Sequence, residues 1–167
     1  GIHHIDTASW YRNLPQVGAA IQWLCENHEI VSSASGSSKK PRLLTRSDLF
    51  ITAKIEEKDC NANNVDSAVS TACRELGVQY LDLVMLHQFP EKGWQETWRK
   101  LEQSVMEGRI KKLGVSNISA IELKRLYDFA RVKPAALQVK FSPYCQGNYF
   151  DPAPTPTTRQ LFHFCYD

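Results

Sequence analysis

Four residues of this chain could together move a proton. Asp6 and Tyr11 stand five positions apart in HIDTASWY, Lys54 closes FITAK, and His87 closes LDLVMLH. A phenol ordinarily titrates near pH ~10, too high for an efficient acid at neutrality. A lysine cation beside a phenol favours the phenolate. A carboxylate can hold that lysine charged, and a histidine can hydrogen-bond a substrate oxygen. Such a set is suited to protonating a carbonyl oxygen while hydride arrives from a nicotinamide, and it includes neither an activated nucleophile nor a metal cluster. Each residue also has an ordinary structural explanation. Asp6 could serve a turn, Lys54 could be a terminal charge, and His87 could be a satisfied ring.

What gives the set weight is where its members fall. Apolar segments with strand character cover 1–6, 49–54, 81–86, 110–115 and 136–141. Between them run segments of helical period. Val17, Ala20, Ile21 and Leu24 share one face, as do Val65, Ala68, Val69 and Ala72; Trp94, Trp98, Leu101 and Val105; and Leu123, Leu126, Tyr127 and Ala130. Asn63 or Asn64 is expected to cap the second helix, Gly77 and Gly108 to end the second and third, and Ser119 with Glu122 to form a capping box on the fourth.

Alternating strands and helices imply a parallel sheet with right-handed crossovers. No GxGxxG follows a strand, which counts against a doubly wound dinucleotide fold. The expected class is therefore α/β, with an open doubly wound sheet and a partial (β/α)8 barrel as the alternatives; a full barrel needs eight strands in ~250 residues, and about five parallel strands are legible here. Barrel function gathers at the C-terminal strand ends. Here those ends present Asp6, Lys54, His87, Ser116 with Asn117, and Gln138.

Composition narrows the partners. The chain of 167 residues carries 20 basic and 18 acidic residues, net +2, with no basic tract suited to nucleic acid. No apolar span of membrane length is present. The five cysteines (Cys25, Cys60, Cys73, Cys145, Cys165) form no CxxC pair, so neither a disulfide framework nor a zinc site is expected. Cys25 and Cys73 read as small core residues, and a reducing, cytoplasmic setting is anticipated. Residues 31–45 lose all periodicity and read as a flexible loop, and 145–167 read as an irregular tail.

The segments HIDTASWYRN with PQVGAAI, RSDLFITAK, LGVQYLDLVMLH, EGRIKKLGVSNIS and KPAALQVKFSPY resemble, in order, those of the aldo-keto reductases. The resemblance implies that Asp6, Tyr11, Lys54 and His87 form a catalytic tetrad with Tyr11 as proton donor. Ser116, Asn117 and Gln138 would hold the nicotinamide carboxamide. NADPH is the implied cofactor, with NADH also compatible, and the substrate is a small aldehyde or ketone.

Three departures from the family pattern stand out. Gln88 and Phe89 follow His87 where the family often has Trp, and Lys140 stands where many members are acidic. The family's first barrel strand and everything after the fifth strand seen here are expected to be missing. On that expectation 1–167 is a single incomplete barrel domain. Its sheet edges would be open to self-association, and Leu83, Met85, Ile110 and Val115 would face inward without their usual partners. A non-catalytic regulatory subunit on the same scaffold, or an inactive shortened product, are the alternative readings.

Overall fold

The computed structural model of the chain describes residues 3–30, 41–140 and 165. Five parallel strands form its sheet: β1 (His4–Ala8), β4 (Phe50–Ile55), β5 (Leu81–Leu86), β6 (Ile110–Ser116) and β7 (Ala136–Gln138). Two short strands, β2 (Glu29–Ile30) and β3 (Arg42–Leu43), pair antiparallel beside it. The helices are α1 (Leu14–Asn27), α2 (Val65–Leu76), α3 (Trp94–Met106) and α4 (Ala120–Phe129).

Sheet order follows chain order, β1-β4-β5-β6-β7, with every neighbour parallel. A doubly wound sheet needs a point where this order reverses. None occurs in the described sheet, so right-handed crossovers carry all four helices to one face. The result is a curled half-barrel, in keeping with the expected class. Its edge strands, β1 and β7, are bridged near their C-terminal ends by the side chains of Asp6 and Gln138, 2.9 Å apart. Only a strongly curled sheet brings its two outer strands within one hydrogen bond.

The core lies between the convex face and the helices. Ile51, Ala53 and Ile55 of β4 share it with Val84 and Leu86, Leu113 and Val115, and Val69, Leu76, Trp98, Leu101, Leu123 and Leu126 of the helices. Alternation along each strand sends the intervening residues to the concave face. By ladder register these include Asp6, Thr52, Lys54, Leu83, Met85, Gly114 and Ser116. Val115 belongs to the convex set, paired with Leu86 and Leu137, and so does not face inward as the sequence suggested. Leu83 and Met85 do lie on the concave side and are buried there.

Other boundaries move for local reasons. β1 continues through Thr7 and Ala8, so Asp6 sits within the strand rather than at its end. The N-cap position of α2 is Asn64, but its side chain makes no cap bond. Asn61 instead accepts the backbone N–H groups of Asn63 and Asn64. Gly77 (φ 66°) and Gly108 (φ 77°) take the left-handed conformation that ends a helix without a Cβ clash. The Ser119–Glu122 capping box is present in both directions.

The loop expected over 31–45 is partly structured. Arg42 and Leu43 form β3, and Leu44 is buried. Two bonds from the Arg42 guanidinium to Asp48, at 2.7 and 2.6 Å, tie β3 to the turn before β4 and hold the Asp48 carboxyl well below the usual range. Residues 31–40, and the tail apart from Cys165, lie outside the described residues. Cys25 and Cys73 pack half-buried against the core, while Cys60 is the buried thiol, pushed up to about 12 chiefly by burial. No helix of the described residues is long and apolar enough to cross a membrane.

Candidate active site

Lys54 is the anchor of the site. It is the fifth residue of β4 and faces the concave side, where it is only 1% exposed. A buried ammonium is costly unless it is paired. Its Nζ donates to Asp6 Oδ1 at 2.6 Å, and that carboxylate remains 38% exposed at the mouth of the half-barrel. The neighbouring strands β1 and β4 deliver the two groups to the same face.

Tyr11 reaches the pair from a single 3-10 turn, Ser9–Tyr11, which carries the chain from β1 toward α1. The turn ends at Arg12 in the left-handed region (φ 53°). Thr7, buried in β1, donates its hydroxyl to the Asn13 side chain at 3.2 Å and ties strand to helix across the turn. Lys54 Nζ lies 5.2 Å from the centre of the Tyr11 ring. The His87 ring stands edge-on to the same phenol with centroids 5.9 Å apart.

His87 follows the last residue of β5, and its backbone is held on both sides. Its N–H donates to Ile55 O at 2.9 Å, and its carbonyl accepts from Asn117 Nδ2 at 2.8 Å. Burial first, and the Lys54 cation second, push the imidazole pKa below its ordinary value. The ring is therefore neutral at neutral pH and can offer one N–H to a ligand.

The three residues associated with the carboxamide are contiguous. Ser116 ends β6 opposite Gln138 in β7. Asn117 takes the left-handed region (φ 51°), and its N–H donates to Gln138 O at 3.1 Å. Both donors of the Asn117 amide are engaged, by His87 O and by Ser116 Oγ at 3.1 Å. What stays available is the Ser116 hydroxyl proton together with the amide oxygens of Asn117 and Gln138. One donor and two acceptors are the complement of a carboxamide, which has one carbonyl oxygen and two N–H groups. The donor set fits a nicotinamide.

All seven sequence candidates thus meet at one rim. Beside them opens a cleft of about 710 Å³, lined by Trp10, Tyr11, Glu56, Lys58, His87, Gln88, Asn117 and Lys140 among others. A volume of that order suits a small organic ligand. Sequence reasoning missed Trp10, Glu56 and Lys58 on its wall. Their only signal was adjacency, since Trp10 precedes Tyr11, and Glu56 and Lys58 follow Lys54 out of β4. Glu56 and Lys58 pair at 3.0 Å. Missed too was the contact of Gln138 with Asp6. Among the described residues no group of three or more His, Cys, Asp or Glu could hold a metal ion.

The sequence profile of the Aldo/keto reductase family matches residues 1–164. An uncharacterized oxidoreductase of Bacillus subtilis, YtbE, is 36% identical over 156 residues, covering 88% of this chain and 51% of the relative. The NADPH-dependent alpha-keto amide reductase of Saccharomyces cerevisiae is 30% identical across 100% of this chain and 47% of its own length. Among solved structures, an aldo/keto reductase from Brucella melitensis superposes with a TM-score of 0.75 at 31% identity, covering 100% of this chain and 54% of that one. An aldo-keto reductase crystallised with NADPH gives 0.72 at 30% identity, over 84% of this chain and 42% of its own. The chain spans about half the length of the curated relatives it matches.

Proposed function

The chain belongs to the aldo/keto reductase family, and from that premise we propose that it carries the proton-transfer half of an NADPH-dependent carbonyl reductase, acting on a small aldehyde or ketone. The observation that supports this most directly is the convergence of Asp6, Tyr11, Lys54 and His87, drawn from three separate stretches of the chain, at one rim beside the cleft. A solved relative crystallised with NADPH, and the NADPH-dependent alpha-keto amide reductase of Saccharomyces cerevisiae, favour that cofactor.

In this reading Ser116, Asn117 and Gln138 hold the carboxamide of the nicotinamide. When bound, the cofactor supplies hydride to the carbonyl carbon. The carbonyl π electrons pass to oxygen, and that oxygen takes the phenolic proton of Tyr11 to complete the alcohol. Solvent then reprotonates the phenolate. Lys54, held in place by its ion pair with Asp6, stabilises the phenolate as it forms, by opposite charge in a partly dry site. Neutral His87 donates to the carbonyl oxygen and orients it, a task an imidazole performs without competing as an acid.

Replacing Tyr11 by Phe deletes the proton and leaves the ring. Carbonyl reduction should fall by roughly 10²–10⁴-fold, the usual worth of positioned acid catalysis, while NADPH affinity stays nearly unchanged. Wild-type turnover by the Phe variant on a reactive aldehyde would refute the assignment. NADPH binding with no turnover in the unsubstituted protein would point instead to a binding or regulatory subunit.

A further inference from the structure

We infer that Gln138, through its hydrogen bond to Asp6 across the mouth of the half-barrel, is a positioning residue that fixes the Asp6–Lys54 pair beside Tyr11. The inference rests on the reductase reading for its consequence in turnover, but not for the contact itself.

The geometry carries it. Lys54 Nζ takes Asp6 Oδ1 at 2.6 Å, and Gln138 Nε2 donates to Asp6 Oδ2 at 2.9 Å. A carboxylate held by one oxygen can still turn about its Cβ–Cγ bond. A second donor on the other oxygen stops that rotation and fixes the plane in which the ammonium is held. Because a carboxylate only accepts, the amide nitrogen must face it. Its carbonyl oxygen then points elsewhere, leaving the same side chain an acceptor for a carboxamide.

The Gln138 side chain itself hangs on a fixed backbone. β7 pairs with β6 at Ser116, the carbonyl of Gln138 accepts from the Asn117 N–H, and the Asn117 side chain holds His87. A hydrogen-bonded chain therefore runs from Lys54 through Asp6, Gln138 and Asn117 to His87, drawing on all five parallel strands and the turns that leave them. The Asp6–Gln138 bond spans 132 positions of sequence. It joins the two strands that are not otherwise paired to each other, so it also registers how far the sheet has curled.

The test uses the substitutions Gln138→Met and Asp6→Asn. In Asp6→Asn the buried ammonium of Lys54 claims the amide oxygen, which leaves an NH2 group facing Gln138; the bond to a charged acceptor is lost, and Gln138 must turn its amide over to offer its carbonyl oxygen instead. In the cofactor-free protein, Asp6→Asn should move the side-chain amide resonances of Gln138 and speed their hydrogen exchange. An unchanged amide spectrum would overturn the contact. At saturating NADPH, Gln138→Met should lower kcat at least tenfold, and should have a much smaller effect in the Asp6→Asn background. An effect confined to NADPH dissociation, and fully additive with Asp6→Asn, would overturn the positioning role and leave Gln138 as a cofactor ligand alone. Absence of turnover in the unsubstituted protein would refute the reductase reading separately, and the amide spectrum would still decide the contact.

Discussion

The ion pair at the centre of the site is asymmetric, and this has a measurable consequence. Lys54 is 1% exposed, whereas Asp6 retains 38% of its side-chain surface. Replacing Asp6 by Ala strands an ammonium that water reaches only through the space the carboxylate vacates. Breaking a fully buried pair from one side costs about 3–5 kcal/mol. The open carboxylate end reduces that, because water partly replaces Asp6, and about 1–3 kcal/mol is the expected loss. Near the middle of that range the ratio of folded to unfolded protein changes by about 30-fold. Lys54→Met has the opposite logic. It removes the buried charge, fills its volume with an unbranched apolar chain, and leaves a carboxylate that is already hydrated and still bonded to Gln138. Its stability should stay within about 1 kcal/mol of wild type, in either direction. Both variants should lose carbonyl reduction. Urea unfolding followed by tryptophan fluorescence measures the two midpoints, with the slope checked for constancy. If Lys54→Met proved the more destabilising of the two, the burial argument would be wrong, and Lys54 would owe its place to interactions other than the Asp6 pair.

Two further outcomes follow from packing and from titration. In Gly18→Ala the new Cβ would stand 2.4 Å from the backbone oxygen of Glu75, where α1 crosses α2. The helices must then separate at a cost of about 1–3 kcal/mol, more than the gain of up to ~1 kcal/mol from alanine's helix propensity. A melting temperature at or above wild type would show that α1 can slide. His87 has its pKa lowered in the folded protein, so the unfolded chain binds its proton first as pH falls. Its contribution is complete above the unfolded value near 6.5 and is lost as pH drops through the folded one. His87→Gln should flatten the decline in melting temperature just below that pH, while the decline at lower pH, where Glu102 with its depressed pKa is protonated, should persist. An unchanged profile just below pH ~6.5 would remove His87 from that window.

Much of this protein is decided by neighbours in sequence. Helical spacing placed α1 to α4 because each buries one apolar stripe on a single sheet face. The Ser119–Glu122 box and the left-handed Gly77 and Gly108 mark ends through bonds that span three or four residues. Alternation of strands and helices gave the order of the sheet, and the strand ends named six of the seven candidates of the site, with Tyr11 following the first of them by five residues. Short elements escaped because they have no period to read. β2 and β3 are two residues each, stabilised by Arg42 reaching Asp48. Asn61 rather than Asn63 or Asn64 supplies the side-chain bonds before α2, a choice among three asparagines that only backbone geometry makes. The tertiary structure alone decided burial and distance. Lys54 is buried and Asp6 open because one lies in an interior strand and the other in an edge strand. Val115 faces the helices because pleating fixes its side relative to Gly114. Gln138 meets Asp6 because five twisted strands curl far enough to bring their first and last members together. That curl accumulates over the whole sheet, and no local stretch of sequence contains it.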